Sequence, residues 1–111
     1  MPKFILIYKG RATDLSDMSP ADAAAVLSKW RSWMDKVGPS LIDIGAPFGR
    51  GASMVDDGSS GVSISLTGFS IIEAASLSEA TTLTDGHPYL SEGKGNFSIE
   101  VYEMMPAPFE P

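Results

Sequence analysis

Cysteine is absent from the 111 residues. Disulfides, thiolate nucleophiles and thiolate metal sites are therefore excluded. Histidine occurs once, at His87, so no paired-histidine spacing exists. There is also no HExxH string and no EF-hand loop, and the expectation for metal is none. No P-loop is present, and no GxGxxG string follows a strand, so no cofactor is expected. No apolar run approaches the roughly 20 residues that cross a bilayer. Basic residues are few, eight against 14 acidic ones, for a net charge of −6. Such a surface repels phosphate backbones and anionic lipid heads, so neither nucleic acid nor membrane is expected as a partner. The opening Met1-Pro2-Lys3-Phe4-Ile5-Leu6-Ile7-Tyr8 is too short in its apolar part for a signal peptide, and no small-residue cleavage site follows. It reads as the first strand of a cytoplasmic protein.

The balance of 43% hydrophobic to 20% charged residues is that of a folded chain. Its length suits one domain over residues 1–111, with residues 105–111 an extended tail because Pro106, Pro108 and Pro111 break helices. Phe4 to Tyr8 is aromatic and β-branched and apolar on both sides, the pattern of a central strand covered on both faces. Ser19-Pro20-Ala21-Asp22 then starts a helix. Ser19 caps it, Pro20 sits where a missing N–H costs nothing, and Asp22 suits the positive end of the helix dipole. Ala23, Val26, Leu27, Trp30, Met34 and Val37 recur as one apolar stripe, with Trp33 at its edge. Trp30, mid-stripe, is expected to anchor the core. Gly38-Pro39 ends the helix.

Leu41 to Ile44 reads as a short strand. The Gly45 to Gly51 stretch follows as an irregular loop, and Ala52 to Val55 resumes pairing. Asp57-Gly58-Ser59-Ser60-Gly61 is a hairpin connection. Val62, Ile64 and Leu66 alternate with polar residues, but Phe69 and Ile71 are out of phase with them. A β-bulge near Thr67-Gly68 accounts for the shift. A short second helix spans Ser76 to Asp85, capped by Ser76 or Ser78 and closed by Gly86. Phe97, Ile99 and Val101 line the inner side of a last strand, with Ser98, Glu100, Tyr102 and Met104 on the other.

The order β-α-β-β-α-β predicts an α+β fold of ferredoxin-like type, a four-stranded antiparallel sheet with both helices on one face. The other face, expected to carry Ser63, Ser65, Ser98, Glu100 and Tyr102, has no helix to cover it. A homodimer through the sheet is the simplest solution.

Particular strings in this order resemble the YCII-related family and its DGPF-type group. They are Phe4-Ile5-Leu6-Ile7-Tyr8, the helix around Trp30 and Trp33, Gly68-Phe69-Ser70-Ile71-Ile72-Glu73-Ala74, Ser76-Leu77-Ser78-Glu79-Ala80, Gly86-His87-Pro88 and Ile99-Glu100-Val101. The resemblance implies a dimeric α/β barrel with a small-molecule cleft beside the sheet. The Asp-Gly-Pro-Phe string that names the group is missing; Gly45-Ala46-Pro47-Phe48 and Asp56-Asp57-Gly58 come nearest. The His-Asp pair proposed as catalytic in compact members has no clear match. Fold and dimer therefore carry over better than chemistry.

Two residues are candidate proton carriers. His87, two residues after Asp85, has an imidazole that titrates near neutrality; its alternative is a cap at a helix exit. Glu100 sits in an otherwise apolar and hydroxyl-bearing strand, where desolvation would raise its pKa; its alternative is an ion pair with Arg11, Arg31 or Arg50, or simple exposure. Tyr8, Phe48, Phe69, Tyr89 and Tyr102 are candidates for binding a flat apolar substrate, against core or interface roles. Two functions stand side by side. One is a cofactor-free enzyme using acid–base chemistry on a small organic molecule. The other is a non-catalytic module that binds a metabolite or associates with itself.

Overall fold

A computed structural model describes residues 1–10, 18–63, 66–91 and 93–106. The last part of the expected tail, 107–111, lies outside the described residues, as does Ser65. Strand β1 (Lys3–Lys9) leads to helix α1 (Pro20–Val37) and strand β2 (Leu41–Pro47). Two short strands follow, β3 (Gly51–Met54) and β4 (Ser60–Ser63). Then come β5 (Leu66–Glu73), helix α2 (Leu77–Leu83) and β6 (Ser98–Met104). The main sheet has the antiparallel order β2-β5-β1-β6. This is the ferredoxin-like arrangement, with β1 central as its apolar pattern requires.

The helix ends follow from local chemistry. The Ser19 hydroxyl accepts the Asp22 N–H at 3.1 Å, and Pro20 occupies the first turn. Gly38, at φ +58°, closes α1 by donating its N–H to the Met34 carbonyl. Of the two candidate caps for α2 it is Ser76 that accepts the Glu79 N–H, also at 3.1 Å. Free carbonyls at the end of α2 are then taken by α1. The Trp33 indole N–H donates to Leu83 O at 2.9 Å, and the Lys36 ammonium to Asp85 O at 2.6 Å.

Register decides the faces. Phe4 pairs with Ile72, Leu6 with Ser70 and Val101, and Tyr8 with Gly68 and Ile99, so these share the helix-covered side. Phe4, Leu6, Tyr8 and Ile72 form the core with Ala74, Trp33 and Val37 of α1, and Ala80 of α2. Burying a large apolar side chain of this kind stabilises the fold by about 1.5–3 kcal/mol. The other side carries Ile5, Ile7 and Ile71 with Ser98, Glu100 and Tyr102. Strand β1 is thus central, but only one of its faces is covered by helices.

Three expectations are corrected. Trp33, not Trp30, is the core anchor: Trp33 is 1% exposed, whereas Leu27 and Met34 are 44% and 37% exposed. The helix is turned so that the Trp33 indole reaches Leu83 O, which leaves Trp30 only partly buried against the core and swings Leu27 and Met34 outward. Gly45 to Pro47 is strand, not loop. Ser63 belongs to β4, which pairs only with β3 in a separate two-stranded hairpin, so it is not on the open face of the main sheet. The bulge, by contrast, lies where the phase change puts it. Tyr8 pairs with Gly68 and Lys9 with Leu66, leaving Thr67 as the extra residue.

Candidate ligand-binding cleft

The apolar stripe of α1 overlooks a cleft of about 620 Å³, a volume typical of small-molecule sites. Val26, Leu27, Lys29, Trp30 and Met34 form one wall, and Ile44 to Phe48 of β2 and the turn beyond it form the facing one. Tyr8, Thr67, Gly68 and Phe69 contribute from β1 and β5. Pro88, Tyr89, Ser91 and Phe97 close one end. Tyr8 and Tyr89 stack at 4.9 Å between centroids, and Trp30 stands edge-to-face on Tyr8 at 5.8 Å. Phe48 and Phe69 stack at 5.9 Å.

Two of the sheet's register shifts position the polar groups. The Thr67 side chain, freed from the regular ladder, donates its hydroxyl to the Tyr8 carbonyl at 3.2 Å and meets the Tyr89 hydroxyl at 3.0 Å. In β2 the register slips between Asp43 and Ala46. There the Ile44 carbonyl turns to accept the Ser70 hydroxyl, which itself accepts the Tyr8 hydroxyl at 2.6 Å. Burial pushes the Tyr8 phenol up to about 12, only partly offset by the Ser70 contact. Tyr8 is therefore neutral and a hydrogen-bond donor across the physiological range.

His87 lies behind the cleft rather than in its lining. It is 1% exposed, and its ring is packed among Tyr8, Trp30, Trp33 and Tyr89 at centroid distances from 4.5 to 5.8 Å. Its Nδ1 accepts the Tyr89 N–H at 3.0 Å and so caps the single 3₁₀ turn Pro88–Leu90. The proton is then on Nε2, which has no hydrogen-bond partner among the described residues and faces aromatic surroundings, where π clouds are weak acceptors. Burial pushes the imidazole down to about 4. It is neutral at physiological pH.

No protein-family model matches the chain, the YCII-related family's included, and no curated protein matches it in sequence. Its fold has a solved relative. The chain is similar to 5-chloro-2-hydroxyhydroquinone dehydrochlorinase from Burkholderia phenoliruptrix AC1100, solved in complex with 2,5-dihydroxybenzoquinone. The TM-score is 0.56 over 93% of each chain, at 18% identity. A likeness at that identity is one of fold.

Of the residues singled out from sequence, Tyr8, Phe48 and Tyr89 come together in the cleft, and Phe69 adds to its lining from a position opposite Ile7, on the open-face side of the sheet. Tyr102 does not: it is 59% exposed on the open face of the sheet, opposite Ile5. Glu100 sits on that same face opposite Ile7. Its partner there is Lys9, at 3.7 Å, rather than Arg31 or Arg50; Arg11 lies outside the described residues. Sequence reading did not assign Trp30, Leu27, Met34, Thr67 and Ser91 to the cleft. A signal existed for the first of these: tryptophans three residues apart diverge around a helix, and only one can point straight into the core. Among the described residues no three potential metal-ligand side chains gather, and no helix is long and apolar enough to cross a membrane.

Proposed function

We propose that this chain is a YCII-like protein that binds a small planar aromatic compound in the cleft between α1 and β2. One observation carries the reading. Leu27 and Met34 of the α1 stripe are not spent on the core but stand exposed opposite β2, with the partly buried Trp30 beside them over the stacked pair Tyr8 and Tyr89. A flat ring slotted there would meet aromatic faces and aliphatic walls. The fold relative supports the same ligand class, since its name specifies a hydroxylated ring as substrate and its complex holds another. Neither proton carrier considered from sequence lines the cleft, so the reading supported best is binding, with the tyrosines as orienting groups. Acid–base turnover requires, in addition, that His87 or Glu100 reach the ligand.

The open face of the sheet supports a homodimer as part of this reading. Ile5, Ile7 and Ile71 are flanked there by Lys3, Lys9, Glu73 and Glu100. Both charge signs on one face make it self-complementary about a two-fold axis.

Tryptophan fluorescence tests the binding. Trp30 lines the cleft and Trp33 is buried, so a saturable quench by hydroxybenzenes that vanishes in Trp30→Phe, with Trp33 still emitting, is the expected result. No saturable response from any such compound up to millimolar concentration would overturn it.

A further inference from the structure

The hydroxyl protons around the cleft can be followed one by one, because each hydroxyl has a single proton to give. The Ile44 carbonyl only accepts, so the Ser70 proton goes to it, and Ser70 must receive the Tyr8 proton. The Tyr8 carbonyl likewise takes the Thr67 proton at 3.2 Å. Thr67 and Tyr89 are 3.0 Å apart, and Thr67 has no second proton, so Tyr89 is the donor of that pair. Ser91 gives its proton to the Pro88 carbonyl at 2.6 Å. Among the described residues, the four hydroxyls that line the cleft, Tyr8, Thr67, Tyr89 and Ser91, are thus all turned toward the protein. Two backbone donors nearby are committed as well. Gly45 N–H bonds the Asp43 carboxylate at 2.8 Å, Phe48 N–H bonds Thr67 O at 2.9 Å, and Pro47 has none. The α1 wall carries donors of its own, the Lys29 ammonium and the Trp30 indole.

We infer that the tyrosine end of the cleft is an acceptor-only wall, selecting aromatic compounds that present a neutral hydroxyl to Tyr89 and Thr67. The inference rests on the reading of the cleft as a site for aromatic rings and names which ring substituents it takes. A phenolic hydroxyl finds lone pairs there. An ether or carbonyl oxygen brings lone pairs to lone pairs and loses its water without replacement, which is the costly case. The polarity is fixed by the fold, since reversing it means leaving the buried Tyr8 carbonyl or the partly buried Ile44 carbonyl without its hydroxyl partner.

The test is a donor-deletion series read by Trp30 quenching: hydroquinone, 4-methoxyphenol and 1,4-dimethoxybenzene, which keep the ring and remove protons in steps. Hydroquinone is expected to bind about tenfold or more tightly than the dimethyl ether. In Tyr89→Phe, which removes the accepting oxygen, that preference should shrink to about twofold. Equal binding of hydroquinone and the dimethyl ether by the unaltered protein overturns the acceptor wall while leaving the aromatic cleft standing. A preference that persists undiminished in Tyr89→Phe assigns it to the size of the methyl groups and overturns the wall too. Binding of none of the three overturns the cleft reading, and the inference with it.

Discussion

His87 shows how a single titratable group can act on stability without touching a ligand. Its imidazole is neutral in the fold because burial holds it near 4, while an unfolded chain binds the proton near 6.5. Between those values the unfolded state carries more protons than the native state, so stability rises with pH across the window. The contribution is complete above about pH 6.5 and is lost as pH falls toward 4, on the order of 3 kcal/mol in all. Protonation also removes the Nδ1 lone pair that holds the Tyr89 N–H, so the turn carrying Tyr89 loosens with it. Urea midpoints measured from pH 7 to 4.5 should fall more steeply for the unaltered protein than for His87→Gln. Parallel profiles would show that the imidazole is not the group responsible. From sequence, a cap at a helix exit was one of two roles open to His87. What sequence could not show is that Trp30, Trp33, Tyr8 and Tyr89, from three separate elements, close around it.

At the scale of elements, what was legible was local. The caps Ser19 and Ser76, the Pro20 start and the Gly38 stop depend on neighbours in the chain, and each is where its chemistry puts it. The Thr67 bulge was legible because a change of phase is written in the alternation itself. The rotation of α1 was not, since it depends on a carbonyl 50 residues away. Nor was the split of β4 from β5, where the chain changes pairing partner between one strand and the next. The second bulge was hidden inside Gly45-Ala46-Pro47, whose composition reads as loop. Gly45 is there for a steric reason: its φ is +75°, and a Cβ would stand 1.9 Å from the Phe69 carbonyl oxygen. Gly45→Ala should therefore cost at least about 1–3 kcal/mol and displace the β2 wall of the cleft. Gly49→Ala, where a Cβ meets nothing within 4 Å, should stay within about 0.5 kcal/mol of the unaltered protein. Comparison of their thermal or chemical unfolding checks the pair; equal costs would mean that the β2 bulge does not need its glycine.

On the scale of the whole molecule, the sheet has one face to its helices and the other open. The open face is not polar enough to be a simple solvent surface. Ile5 and Ile7 of β1 lie beside Ile71 of β5, and Tyr102 of β6 stands 59% exposed next to them. The same face holds the Lys9–Glu100 pair at 3.7 Å, worth about 1 kcal/mol or less while it is wet and more if a second copy excludes water from it. An isologous contact across this face should bury at least about 1,000 Å² in total to be stable. Light scattering at micromolar concentration should then give about twice the 11.8 kDa of one chain. Tyr102→Asp offers the sharper reading, because in a lone chain that side chain is already in water and its replacement should leave the fold intact. Within a dimer the same change sets two carboxylates in the interface without partners, and the apparent mass should fall to that of one chain. If the unaltered protein scatters as a monomer throughout the micromolar range, the open face does not pair, and the apolar row on it calls for a different partner.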